Sequence, residues 1–581
     1  MKHSLSLRLL AAFFCASLFS NLLIAQQFEN TFGSLANHEE PQDGKPIPNG
    51  RYIVLSNTLS YGPASRILLT RLNANGTVNM NVTIHDAENL PTAYFGAAID
   101  LDYNALGTHT GYFIAGSRST ANGRQAILIR TNTSGTVTWV KVLPNTENGL
   151  SLDERGVSVE RQPNGEVILT ASGFSVPANN HRFSVSRFNG TTGAQLWSNR
   201  YYGTTTGQNF EATEACNAIR SGVEVIAVTG RYRATGVANH HTFLSCINAT
   251  TGVEIWRRSY DAGQNGDEGL DVVYKPANGS EAAALMVVGW TGPSHPSLWV
   301  VRANPLNGIA SSKIYSPNVF YFAFVGRAIG LDATGTRAAI TGNIAYQSSP
   351  GNTLSGTFAM VLPFYGTELP DWTYYYSSSD PQFTEPHSIS RITGAAGGYF
   401  VTCGTRLTGS AFNDAHAIRV NSLGSNGSMG CEIAPIGVVR TLAGTSSWRA
   451  FSRTPYTWTN TSLARTSQSY TQEFCIEPQF GGIGEERGDD LVADEVEPRL
   501  FPNPSAGGQD ATLVFDLPEA GELQVRVFDL AGREVWSFGE TLAEGQQALE
   551  LPASRWVNGA YFVQVQTSNL NKTLKFVVSG N

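Results

Sequence analysis

One segment pattern of about 58 residues recurs seven times between residues 28 and 430, and it limits the possible architectures more than any single motif does. The landmark strands are YIVLSN at Tyr52, YFIAGS at Tyr112, VILTASG at Val167, EVIAVTG at Glu224, LMVVGW at Leu285, AAITGN at Ala338 and YFVTCGT at Tyr399. From Ser56 through Gly116, Gly173, Gly230, Gly289 and Gly342 to Gly404, the intervals are 60, 57, 57, 59, 53 and 62 residues. Each unit continues with a second apolar strand and a polar turn, a third strand that often carries an aromatic residue, and a fourth just before the next landmark. Four short strands joined by Gly/Asn turns form a sheet that cannot bury both faces alone, so the units must stack around an axis. The expected fold is all-β: a seven-bladed β-propeller over residues 28–430. The first unit has no obvious inner strand unless residues near 37 to 48 supply it. The N-terminal segment is therefore expected to complete the last blade or to open the first, hiding a sheet edge. A β-helix is the other repeat architecture considered, but its coils are much shorter than this period.

The ends of the chain read differently. Lys2 and Arg8 precede an apolar run from Leu9 to Ala25, which reads as a signal peptide over 1–25 with cleavage after Ala25. The run is at the short limit for spanning hydrocarbon, and no later stretch approaches that length, so no transmembrane segment is expected in the mature chain. A net charge of −8, with no Lys/Arg cluster, excludes nucleic acid as a partner. Five of the six cysteines follow the signal segment. Cys431 and Cys475 bracket a Ser/Thr-rich closing segment, 431–480, that reads as strand-poor, and they are the candidate disulfide. Cys216, Cys246 and Cys403 sit in apolar strand patterns and read as buried thiols. Residues 481–499 form an acidic linker with almost nothing able to form a core.

From residue 500 the alternation returns with period two: Leu513/Phe515/Leu517, Leu523/Val525/Val527, Tyr561/Val563/Val565 and Leu574/Phe576/Val578. Residues 500–581 are thus expected to form a small Ig-like β-sandwich. Its motifs are Pro502-Asn503-Pro504, then Val525, Val527, Asp529, Gly532, Arg533 and Val535, then Gly545, then Gly559, Tyr561, Phe562, Val563 and Val565, with Lys572 opening the last strand. In that order they resemble the C-terminal sorting domain, type A, of the type IX secretion system of Bacteroidetes-type bacteria. The resemblance implies passage across the inner membrane by the signal peptide, recognition of the tail by an outer-membrane translocon, and removal of the tail by a sortase-like peptidase. The destination would be the medium or the outer cell surface.

Inside the repeats, Arg precedes Asn by two residues at Arg71/Asn73, Arg130/Asn132, Arg187/Asn189, Arg302/Asn304 and Arg419/Asn421. Asn suits the turn and the Arg is expected to tie neighbouring blades together. The segments ending at Trp139, Trp197 and Trp256 resemble the Trp-docking repeats of quinoprotein-like propellers, with Asn in place of that family's opening Asp. They resemble the Asp-box turns of sialidases more weakly, Thr or Ser standing where the Asp belongs. The adjacent cysteines typical of quinone enzymes are missing, so no cofactor, catalytic residue or metal ligand is expected. Acidic residues before the inner strands (Asp153, Glu154, Glu211, Glu214, Asp267, Glu268 and Glu385) are expected at one rim of the funnel, capping turns or pairing with the repeated arginines. Asp261–Asp271 is the most calcium-like loop, and His240 and His241 lack zinc spacing. The function expected is a secreted or surface non-catalytic propeller that binds a glycan or protein. The alternative is an exported propeller enzyme, a quinone-dependent dehydrogenase or a glycoside hydrolase, which a deep funnel of convergent carboxylates and arginines would favour.

Overall fold

The computed structural model describes residues 28–474 and 499–579, apart from short connecting segments within those ranges. The signal segment, the acidic linker, Cys431, Cys475, Pro502–Pro504 and Gly532 lie outside the described residues. The chain divides into two compact units, 1–480 and 481–581.

Among the described residues, the larger unit consists of seven antiparallel sheets, one for each sequence repeat. Each is a meander with a long inner strand: Glu39–Ile47, Tyr94–Tyr103, Leu150–Arg161, Asn209–Arg220, Asp267–Lys275, Tyr321–Leu331 and Glu385–Arg391, the third flanked by the two-residue strand Thr146–Glu147. Each inner strand packs on the sheet before it, and that of the first sheet, Glu39–Ile47, packs on the seventh. The ring is therefore closed, and the fold is a β-propeller. The seventh repeat supplies only three strands. Its fourth is Phe28–Gly33, antiparallel to Asn413–Val420 with Phe28 opposite Arg419 and Phe32 opposite Ala415. The cores lie between sheets: Ile53, Leu55, Ile67 and Leu69 of the first pack with Ile99, Ile114 and Ile127 of the second.

Every inner strand carries a β-bulge at the same height, centred on Gln42, Ala97, Val157, Thr213, Leu270, Arg327 and His387. The bulge explains four of the landmark glycines, Gly116, Gly230, Gly289 and Gly342, which stand opposite it. The bulged strand pushes a carbonyl toward the second strand, so a Cβ at Gly116 would lie 2.0 Å from the Phe95 oxygen, and one at Gly289 1.8 Å from that of Glu268. In sheets one, three and seven the place opposite the bulge is held by Ser56, Ala171 and Cys403 instead.

The segment after the repeats corrects the strand-poor expectation for 431–480. Glu432–Pro435 pairs with the outer strand of sheet six, Val438–Ala443 with sheet five and Thr445–Trp448 with sheet four. Ser452–Pro455, Thr459–Thr461 and Leu463–Ser467 then pair with sheets three, two and one. Finally Thr471–Phe474 pairs with Phe28–Gly33 in sheet seven. This segment is a belt that covers the outer edge of every sheet in turn. Its strands of three to six residues carry no sustained alternation, because an outermost strand is specified by the open edge it joins more than by its own pattern.

The smaller unit is a two-sheet sandwich. Arg499–Phe501, Ala511–Leu517 and Gly545–Leu551 form one sheet. The other runs Ser505–Ala506, Asn571–Ser579, Gly559–Gln566, Gly521–Asp529, Glu534–Leu542. Leu513, Val525, Val527, Val563, Val565 and Phe576 close its core.

A substitution pair tests the bulge argument. Gly289→Ala should lower unfolding stability by about 3 kcal/mol, because its Cβ meets backbone that can yield only by moving the bulge. Gly335→Ala, at φ +66° with nothing within 4 Å, should cost about 1 kcal/mol. Denaturant titration of both variants distinguishes the two costs.

Candidate functional site

The inner strands of all seven sheets line one central cavity of about 790 Å³. The bulge sets two tiers in it, because residues two apart on a strand face the same side. Gln42, Asn57, Arg124, Arg155, Glu211, Arg231, Glu268, Arg327 and His387 contribute to one part of the wall. Asp43, Lys45, Glu160, Glu214, Cys216 and Asp271 form a second group, with half-buried Asp100 beside them.

The second group ties sheets together. Asp43 Oδ1 accepts the Gly44 N–H at 2.7 Å and Oδ2 the Ile99 N–H of the next sheet at 2.9 Å. Asp271 repeats this with Val272 at 2.6 Å and Ile329 at 2.7 Å, and Asp100 with Leu101 at 2.8 Å and Arg161 at 2.6 Å. Each carboxylate satisfies one amide of its own strand and one of its neighbour's. These groups border the cavity yet are enclosed by protein, and burial dominates their acidity. Burial, reinforced by Asp271, pushes Glu214 up to about 8. Burial likewise pushes Asp271 up to about 7 against its amide bonds, and raises Glu160 well above the carboxylate range with Asp100 adding to the effect. Burial alone would depress Lys45, but Asp43, Asp100, Glu160 and Glu214 together reverse that and raise it. Burial also pushes the Cys216 thiol far up, so it is not a ready nucleophile.

The arginine-bearing group is a chain of ion pairs. Arg155 meets Glu211 at 2.6 Å, Arg231 meets Glu211 at 2.7 Å and reaches Glu268 at 3.8 Å. Arg124 grips Asp153 with two N–H groups at 3.0 and 2.9 Å. Burial would raise Glu211, but Arg231 and Arg155 hold it below its usual range.

Of the acidic residues expected at the rim, Asp153 and Glu211 therefore pair with arginines outside the repeated Arg-x-Asn positions. Glu154 does the same inside the protein, receiving Arg200 at 3.0 and 2.9 Å. The repeated arginines instead reach the turn of the next sheet: Arg71 to the Thr133 oxygen at 2.9 Å, Arg130 to Thr191 at 3.1 Å and Arg187 to Ala249 at 2.6 Å. Asp102 and Glu166 partner Arg130 and Arg187. The tryptophans share those turns. Trp139 Nε1 donates to Gly190 at 3.2 Å, Trp197 to Ala249 at 3.0 Å and Trp256 to Pro305 at 3.0 Å. The Trp197 ring covers Gly252, where an added Cβ would sit 2.7 Å from Cε3.

His241 has partners that linear spacing did not reveal. Its Nδ1, buried and without a hydrogen bond, converges with carboxylate oxygens of Asp261 and Asp267, all within 4.8 Å of one another. Burial and then Asp261 drive Asp267 up to about 6, against the Thr291 hydroxyl and the Ala262 amide. The three groups could hold a cation, and the pair of aspartates belongs to the loop singled out as calcium-like. Missed altogether were Asp43, Lys45, Asp100 and Glu160, which stand one or three residues beyond the bulges at Gln42, Ala97 and Val157.

In the smaller unit, Arg533 folds back on Asp529, its Nε donating at 2.8 Å and its N–H at 3.0 Å, which closes the turn of that hairpin. Tyr561 is buried and its hydroxyl donates to the Val557 oxygen at 2.6 Å. Gly545 faces Leu517, Gly559 faces Val578, and exposed Lys572 faces Val565 on the terminal hairpin. The family described as "Secretion system C-terminal sorting domain" matches residues 499–579. The tail is a sorting domain. It directs export through type IX secretion to the cell surface or the medium. "Domain of unknown function (DUF5122) beta-propeller" matches residues 47–81, the second and third strands of the first sheet with their flanks. No curated protein matches the chain. Two similar solved structures are a fungal alcohol oxidase of the AA5 family in complex with copper (9% identity, 94% of this chain and 99% of that one, TM-score 0.27) and PorZ, a surface component of the type IX secretion system of Porphyromonas gingivalis (11%, 95% and 100%, TM-score 0.18).

The buried carboxyls make stability depend on pH with a definite sign. Folded-state values of about 8 for Glu214 and about 7 for Asp271 lie above their unfolded values, so the native state holds extra protons. Their contribution is complete below about pH 4 and is lost as pH rises through 7 to 8, by up to about 1.4 kcal/mol per pH unit for each group. The melting temperature should fall between pH 5 and 8.5. Glu214→Gln, which keeps a neutral side chain there, should flatten the fall.

Proposed function

We propose that the chain is an exported seven-bladed propeller that uses its central funnel to bind a hydroxyl-rich ligand, a glycan, without transforming it. The observation that carries this reading is the alternation of Arg155, Glu211, Arg231 and Glu268 on the wall of a cavity large enough for one or two sugar rings. Guanidinium and carboxylate groups fixed side by side offer donors and acceptors at the spacing of vicinal hydroxyls, and half-buried Phe95 adds an apolar patch. The deeper carboxylates already accept backbone amides from two sheets, which supports a structural use for them. In this reading the sorting domain brings the propeller to the translocon, and a sortase-like peptidase cuts within the acidic linker.

A depth of raised-pKa carboxyls favours a second reading, a glycoside hydrolase. Glu214 and Asp271 would be protonated near neutral pH, as a general acid requires.

Glycan-array screening of the exported protein separates these. A bound glycan recovered intact, with affinity reduced about 10- to 100-fold in Arg231→Ala, supports binding. Release of reducing ends, abolished in Glu214→Gln, would establish the hydrolase instead. Deleting residues 500–581 should leave the protein in the periplasm. Its appearance in the medium after that deletion would refute delivery by the tail.

A further inference from the structure

Three strand ends from two sheets meet at the seam between sheets four and five. His241 opens the third strand of sheet four, His241–Asn248, and Asp261 closes the fourth, Glu254–Asp261, across the hairpin from it. Asp267 opens the inner strand of sheet five, Asp267–Lys275. Its backbone N–H donates to the His240 oxygen at 3.0 Å, which fixes the strand ends of the two sheets against each other. All three residues therefore stand on regular elements, which hold side chains more firmly than a loop tip does.

Hydrogen bonds aim both aspartates at the histidine. Asp261 Oδ1 accepts the Gly263 N–H at 2.7 Å. Asp267 Oδ1 accepts the Thr291 hydroxyl at 2.5 Å, and its Oδ2 the Ala262 N–H at 3.0 Å. The Oδ2 atoms of Asp261 and Asp267 then lie 3.7 and 3.9 Å from His241 Nδ1. Those separations are too long for hydrogen bonds, and the nitrogen, closed off from solvent, has no hydrogen-bond partner among the described residues. A second observation points the same way. Asp267 is wholly buried, yet among the described residues neither aspartate forms an ion pair with a lysine or arginine. A buried carboxylate facing a second carboxylate and an orphaned nitrogen lacks the positive charge that would offset its desolvation.

We propose that His241, Asp261 and Asp267 bind one Zn²⁺ ion, which clasps sheet five to sheet four. Ligands held at about 2.1 Å around a tetrahedral ion stand about 3.4 Å apart, so the site closes with a shift of a few tenths of an ångström. The partly exposed Asp261 side chain can supply it. The imidazole decides the class of metal. Calcium takes six or more oxygens, and the other acidic residues of 261–271 are engaged elsewhere. Glu268 reaches Arg231 at 3.8 Å, and Asp271 holds the amides of Val272 and Ile329 at 2.6 and 2.7 Å. Two aspartates of the calcium-like loop thus join a histidine 20 residues upstream instead of forming an oxygen cage. One imidazole nitrogen and two carboxylates, with water entering past Asp261, are the donors that Zn²⁺ favours. Glu268, next in the chain, lines the central cavity, so the clasp also steadies one residue of its wall.

The test uses the untagged exported protein, stripped with a chelator and dialysed against Zn²⁺ alone. It should take up one ion per chain in the presence of excess Ca²⁺, and its melting temperature should rise by a few degrees. Asp261→Asn and His241→Gln should each weaken Zn²⁺ binding at least about tenfold and remove that rise. No uptake of Zn²⁺, uptake that excess Ca²⁺ abolishes, or uptake that both variants retain unchanged would overturn the clasp. Should a variant not fold, the zinc X-ray absorption spectrum of the parent protein still decides. Nitrogen and oxygen neighbours with the scattering of a single imidazole support the site, whereas sulfur neighbours would place the ion on the cysteines and refute it.

Discussion

An open β-sheet has two faces and two edges to satisfy, and the large unit is a set of answers to that requirement. Stacking seven sheets in a ring gives each face a neighbour. The N-terminal strand Phe28–Gly33 completes the seventh sheet, and the belt pairs with the outer edge of every sheet. The inner edges face the cavity, where backbone amides that the ring cannot pair fall to side chains. Asp43, Asp100 and Asp271 accept those amides, two each, from adjoining strands. The charged lining of the funnel is in this sense a consequence of closure.

That origin separates the two populations of charge in the cavity. Carboxyls that clamp the inner strands are enclosed, and burial raises Glu160, Glu214 and Asp271 toward the neutral form. The ion pairs of Arg155, Arg231 and Arg124 are partly exposed, so each contributes little to stability while remaining available to a ligand. A set of partly exposed ion pairs and a set of enclosed carboxyls follow from the same sevenfold geometry, without any one sheet being specialised.

Much of this was legible from periodicity. The landmark spacing marked the repeat because each inner strand bulges, and in four of the seven sheets the residue opposite the bulge is a glycine with no room for a Cβ, as at Gly116 and Gly289. The Trp and Arg-x-Asn positions were visible because each recurs at one place in the repeat, and both meet the next sheet's turn. The belt was not legible. A strand of three to six residues laid on a preformed edge needs neither amphipathic alternation nor a hairpin turn, so Glu432–Phe474 reads as Ser/Thr-rich connection. The partners of His241 were hidden for a related reason: Asp261 lies 20 residues away on the paired strand of sheet four, and Asp267, 26 residues away, joins them only when sheet five docks.

Sequence alone determined the all-β class, the repeat, the boundary near residue 480 and the sorting tail, because each is written in local alternation, turn chemistry or a linear motif. Tertiary structure alone decided which carboxylates share a cavity, which are neutralised there, and where the belt runs. Those outcomes depend on contacts between residues some 55 to 445 positions apart, as Asp43 with Ile99 or Phe28–Gly33 with Thr471–Phe474, and distance along a chain carries no trace of them until the ring closes.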